Sequence, residues 1–163
     1  MRSTLQISKS SRRVAAGFTL IEIMVVVALI AVVMAAGAPT LYKAVQKEGF
    51  RKTIGDIQEV CEAARREAIR KNDVAIVTFY PLEGRCEGGG KTAAIGDTTR
   101  IEMLDVNLRE YRQEERVDVR FYRNGTCDEM TLILVSSAGE WRKLELELTT
   151  GMVSIDSDPR NWR

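Results

Sequence analysis

The chain has 163 residues, 24 of them basic and 23 acidic, with a formal net charge of +1. That length fits one domain plus an added element, and the balance demands no polyanionic partner. There is no histidine, which removes the commonest general base and metal ligand, and Cys61, Cys86 and Cys127 form no C-x-x-C pair, so no metal or cofactor is expected.

The charge is unevenly placed. Arg2, Lys9, Arg12 and Arg13 precede Gly17 and no acid does, so residues 18–163 carry a net charge of −3. A basic leader before an apolar run is a membrane-targeting pattern that leaves the basic side in the cytoplasm. The run itself, Ile23 to Tyr42, is twenty residues without a charge. That is close to the ~20 residues a helix needs to cross a bilayer core. A buried globular helix is one rival reading. A cleaved secretory signal is another, because "AGA" at Ala36 to Ala38 fits the A-x-A pattern. Against the signal, the run exceeds the usual ~7–15-residue apolar region, Pro39 would directly follow the cut, and Glu22 would interrupt the segment. Glu22 is the anomaly. An acid in a membrane segment costs a few kcal/mol or more and calls for a partner, yet no Lys or Arg lies on the following turns. The partner has to be a positive group on a neighbouring subunit or a new α-amino terminus made by a cut just before Phe18.

The stretch "GFTLIE", Gly17 to Glu22, after a short basic leader and before an apolar run, resembles the N-terminal signature of type IV prepilins and type II secretion pseudopilins. The resemblance implies that a membrane-embedded prepilin peptidase recognises Gly17, Phe18, Thr19, Leu20, Ile21 and Glu22. It would cut between Gly17 and Phe18 and methylate the new Phe18 amine. Glu22 would then meet the Phe18 amine of an adjacent subunit during assembly. Two unit charges 4 Å apart attract by ~4 kcal/mol at an effective dielectric near 20. Desolvation takes back much of this, so the surviving benefit is registry.

Pro39, with Gly37 before it, is a candidate kink or hinge within the helix. Beyond it, Phe50, Ile54, Ile57, Cys61, Ala64 and Ala68 fall on one helical face and predict an amphipathic helix packed on the soluble domain's sheet. "KND" at Lys71 to Asp73 supplies its stop. The period then changes to two. "VAIVTFY" (Val74–Tyr80) predicts a strand, Leu82–Thr98 a glycine-containing surface loop, and Arg100–Leu108 a further strand. The cluster Arg109–Arg116 reads as a solvated connection. Val117–Tyr122, Met130–Ser136, Lys143–Leu148 and Met152–Ile155 then read as a β-meander of hairpins, with turns at "RNG", "AGEW" and "TTG". Cys86 and Cys127 fall in expected loops and can pair if the domain is exported. Cys61, on the apolar helix face, reads as a buried free thiol.

The tail "FYRNGTCDEMTLILVSSAGEWRKLELELTTGMVSI" and the junction "EAARREAIRKNDVAIVTF" resemble the GspH/FimT group of minor pseudopilins. In that group the residue after the "TG" turn is often Arg, whereas Met152 stands here. The fold class expected is α+β: a long N-terminal helix packed on an antiparallel sheet or sandwich of about six or more strands. Its parts are a leader (1–17), a transmembrane helix (18–39), an amphipathic helix (40–73) and a periplasmic β-rich domain (74–163). The resemblance implies a structural, non-catalytic subunit of a type II secretion pseudopilus, held in the bacterial inner membrane. Its partners would be the prepilin peptidase, other pseudopilins, the inner membrane and secreted cargo. A minor pilin of a pilus or DNA-uptake system is the alternative, with Arg142, Lys143, Arg160, Trp162 and Arg163 as DNA-contact candidates. The net charge of −3 and Met152 weigh against it.

Overall fold

The computed structural model describes residues 18–96, 98–111 and 113–157, and backbone alone at 36–41 and 43. The chain divides into two compact units, Met1–Pro39 and Thr40–Arg163, and one helix, α1 (Leu20–Lys71), contributes to both.

In the first unit the described side chains, Phe18 to Ala35, are exposed on every side of the helix, and from Ile23 onward all are apolar. A helix apolar all round needs lipid or other helices to cover it. Among the described residues no helix is long and apolar enough to cross a membrane. The described side chains of the run stop at Ala35, whereas its uncharged sequence continues to Tyr42.

In the second unit α1 becomes one-sided. Phe50, Ile54, Ile57, Cys61, Ala64 and Ala68 are all buried, and Thr53, Val60 and Ala63 widen the stripe. Fully burying Phe50 or Ile57 contributes about 1.5–3 kcal/mol each. The helix stops where "KND" predicts. Asn72 adopts φ +53°; its N–H donates to Ile69 O at 3.3 Å, and the Asp73 N–H donates to Ala68 O at 3.2 Å. This is a Schellman cap, with asparagine in the left-handed position that glycine usually takes.

Among the described residues nine strands follow. One sheet holds β1 (Ala75–Tyr80), β2 (Arg85–Gly88), β3 (Lys91–Ala94) and β6 (Val117–Phe121) in the order β3-β2-β1-β6. The other holds β4 (Thr99–Val106), β5 (Arg109–Glu110), β7 (Met130–Ser136), β8 (Trp141–Leu146) and β9 (Val153–Asp156) in the order β5-β4-β7-β8-β9. Every pairing is antiparallel. One continuous core joins the helix stripe to Val77, Phe79, Val119 and Phe121 of the first sheet and Leu104, Leu132, Leu134 and Leu144 of the second.

Two expectations are corrected. The Leu82–Thr98 loop contains the β2–β3 hairpin, whose two-residue turn is Gly89 (φ +57°) and Gly90 (φ +74°). Two successive positive φ values are what a type I′ turn needs. A Cβ on Gly89 would also lie 2.4 Å from the helix backbone at Ala63 and Ala64, so this hairpin tip packs directly on α1. The expected meander is divided: β6 pairs with β1, and β7 pairs with β4 and β8. After a single bridge between Phe121 and Cys127 the chain crosses to the second sheet. A smaller difference is that β8 starts and ends two residues before the expected Lys143–Leu148. Glu147 already belongs to the turn, donating to Met152 O at 3.0 Å and accepting from the Gly151 N–H at 2.7 Å.

Candidate functional site

The described part of the expected recognition segment, Gly17 to Glu22, begins at Phe18, which is 79% exposed, and the helix begins two residues later. Thr19 caps it. The Glu22 N–H donates to Thr19 Oγ1 at 3.3 Å and to Thr19 O at 3.1 Å, and the Ile23 N–H donates to Thr19 O at 3.3 Å. Thr19 is therefore the N-cap and Glu22 the third helical residue, the T-x-x-E spacing of a capping box. Sequence reasoning missed this, although the spacing is legible in "TLIE". It alters the electrostatics of Glu22, whose carboxylate sits in the first turn, where the helix end supplies roughly half a positive charge. Among the described residues no cation pairs with it. Leu20 and Ile21 are 81% and 70% exposed, so the segment is open to a protein that reads it. Gly17 lies outside the described residues, as do the side chains of Gly37 and Pro39, the expected hinge; α1 runs through both positions.

Cys61, Cys86 and Cys127 are free and buried. The possible Cys86–Cys127 disulfide is not formed, and sheet order explains why. Cys86 is on β2, Cys127 bridges Phe121 on the far side of β6, and β1 and β6 stand between them. Three strand spacings make ~14 Å, about twice the Cα separation that a disulfide spans. Burial pushes all three thiols up, Cys86 to about 12 and Cys127 to about 11, and Cys61 is raised further by its neighbours Cys86 and Cys127. None is poised as a nucleophile. Among the described residues no cluster of three or more His, Cys, Asp or Glu side chains is placed to hold a metal ion.

The basic candidates are partly committed. Arg142 donates to Trp141 O at 2.6 Å, lies 3.7 Å from Glu140 and sits over the Phe50 ring. Lys143 pairs with Glu145 at 2.6 Å, and both basic side chains are largely covered. Met152 is exposed. Arg160, Trp162 and Arg163 lie outside the described residues.

A helix followed by two antiparallel sheets is an α+β, pilin-like arrangement. The capped, exposed segment at its N-terminus is where the comparison with known families falls. Residues 12–38 match the family described as the prokaryotic N-terminal methylation motif. This motif supports a type IV pilin-like protein, and implies processing by a prepilin peptidase, pilin–pilin assembly and anchoring through the N-terminal segment. No curated protein and no solved structure matches the chain.

Proposed function

We propose that the chain is a minor pseudopilin of a type II secretion system, cut between Gly17 and Phe18, methylated on the Phe18 amine and assembled into a short periplasmic filament that drives protein export. The observation that carries this reading is the methylation motif over residues 12–38, joined to a pilin-like α+β fold. Each part has a physical role. The leader keeps the precursor's basic end in the cytoplasm. The apolar half of α1 stores the subunit in the inner membrane and later packs against neighbouring subunits. Glu22 receives the adjacent Phe18 amine, and residues 40–163 form the periplasmic domain. No catalysis is assigned to the chain, which is the peptidase's substrate. The order of the C-terminal hairpins favours the GspH/FimT group.

Mass spectrometry of the mature protein tests the processing. The expected N-terminus is methylated Phe18; a chain starting at Pro39, or still at Met1 in a cell with active prepilin peptidase, would overturn the reading. The competing reading, a DNA-binding minor pilin, requires salt-dependent retardation of duplex DNA, because phosphate contacts weaken steeply as salt rises. The engagement of Arg142 and Lys143 with Glu140 and Glu145 disfavours it.

A further inference from the structure

Among the described residues of the second unit, Leu108 is the most exposed large apolar side chain, at 84%. Asn107 (φ +53°) and Leu108 (φ +64°) form the two-residue turn between β4 and β5. Two successive positive φ values suit a type I′ turn, whose central positions favour asparagine and glycine. A leucine there strains the backbone, and its exposed side chain returns little burial. The turn is nevertheless held firmly. The Asn107 N–H donates to Glu129 O at 3.0 Å, the Glu129 N–H donates to Asn107 Oδ1 at 3.2 Å, and the Tyr111 N–H donates to Leu104 O at 2.7 Å. Strain, exposure and fixed placement together describe an anchor displayed in advance for a partner. Arg109, the next residue, is exposed and lies over the Tyr111 ring.

The opposite end of the same sheet holds a pocket of about 540 Å³, whose lining includes Tyr42, Ala44, Lys47, Ala138 and Glu140. Register fixes the two ends. Val106, beside the Leu108 turn, pairs with Met130, whereas Thr99, at the start of β4, pairs with Ser136, two residues before Ala138. The eight residues of β4 separate them by ~26 Å. The pocket is open: Tyr42 is 66% exposed, and Ala44 and Ala138 are exposed. Its wall is apolar at these three residues, and its acid is incompletely met. Glu140 Oε1 lies 3.5 Å from Lys47 Nζ, and Oε2 lies 3.7 Å from Arg142 with no hydrogen-bond partner among the described residues.

We propose that Leu108 of one copy of the chain seats in this pocket of a second copy. The tip offers a leucine beside a cation, and the pocket offers an apolar wall beside an acid short of donors. Leu108 packs on Tyr42, Ala44 and Ala138, and Arg109 faces Glu140. Because tip and pocket lie at opposite ends of one sheet, the contact is heterologous. It offsets each copy along the strands and extends head to tail, and it does not form a two-fold pair. The inference rests on the assembly of copies and not on the secretion assignment.

Paired cysteines test this in membranes from cells that carry the full-length chain. With Leu108→Cys and Ala138→Cys in one chain, mild oxidation is expected to give a ladder of dimers, trimers and longer species. The wild type is the blank, because its three thiols are buried. Each single variant alone should give no multimer, and the two single variants expressed together should give dimers only. Dimers from Leu108→Cys alone would reveal a two-fold contact and overturn the proposal, as would linkage of that variant to a different protein. If the double variant gives no ladder while an amine cross-linker still captures multimers, this contact is refuted and assembly stands. If neither reagent captures any, the assembly reading falls as well. Leu108→Gly separates the contact from folding. Relief of the strained turn should leave the urea midpoint unchanged or higher, whereas amine-cross-linked multimers should fall about tenfold. Undiminished recovery of multimers would count against the anchor.

Discussion

Single residues decide the chemistry of this chain more by what they prevent than by what they perform. The cysteines illustrate this. Their types and loop positions suggested a Cys86–Cys127 bridge, but pairing is a property of strand order, which one sequence does not display. The fold places β1 and β6 between the two thiols. Alkylation of the native protein at pH 8 is expected to leave all three unmodified, since burial blocks access and Cys86 ionises only near 12; unfolding should expose all three at once. Peptide mapping that finds Cys86 linked to Cys127 in native protein would contradict the sheet order. Gly89 makes the same point through the backbone. It holds φ +57° and touches the helix at Ala63 and Ala64, so Gly89→Ala combines a left-handed alanine with overpacking. The expected loss is about 2–4 kcal/mol, read from chemical denaturation. Gly90→Ala meets no neighbour within 4 Å and should cost only the backbone share.

At the scale of elements, legibility followed how local the determinants were. The stripe from Phe50 to Ala68 was readable because helical periodicity is written into the spacing, and all six positions are buried. The helix stop was readable in Asn72, a residue that tolerates the left-handed cap. The β2–β3 hairpin was not, because "RCEG" and "KTAA" are short and largely polar. Only the paired glycines signalled their turn, and these read equally well as a loop. The division into two sheets was invisible for a different reason: β1 finds β6 across an intervening hairpin and two strands of the other sheet. That β1–β6 pairing carries an ionic clasp. Asp118 accepts from Thr78 Oγ1 at 2.8 Å and from Arg116 Nε at 2.9 Å. Partial burial pushes its carboxyl up, but the bonds from Arg116 and Thr78 outweigh this and hold it below the usual range. A carboxyl lowered on folding stabilises fully above its unfolded value, near pH 4, and loses that contribution as pH falls through its folded value. Asp118→Asn should therefore flatten the acid limb of stability below about pH 4. The effect stays under ~1 kcal/mol, because Asp118 is a third exposed and Arg116 more so. Urea midpoints at pH 7 and pH 3 check it; an unchanged difference between them would remove the clasp.

For the whole molecule, the two units meet different demands. Residues 40–163 carry their own core, whereas the described side chains of the first unit find no cover within it. Such a helix needs lipid or other helices to cover it, and Glu22 is the charged residue in its first turn. Its place in the first turn sets it where the helix end carries a partial positive charge. On the proposed reading, pairing with a neighbour's amine would add to this and would not have to neutralise Glu22 alone. An increment of ~1.4 kcal/mol is still tenfold in each docking equilibrium, repeated at every subunit added. Glu22→Val keeps the backbone N–H that bonds Thr19 but removes the charge and the polar side chain that T-x-x-E spacing offers to a capping box, whereas Glu22→Gln removes the charge alone. Both variants are expected to be cut normally, because Phe18, Leu20 and Ile21 remain exposed, and both should assemble poorly. The ratio of mature to precursor chain measures the cut, and recovery of cross-linked multimers from membranes measures assembly. If Glu22→Gln assembles like the wild type while Glu22→Val fails, Glu22 acts through the cap of its own helix. If both assemble normally, its charge has no part in docking.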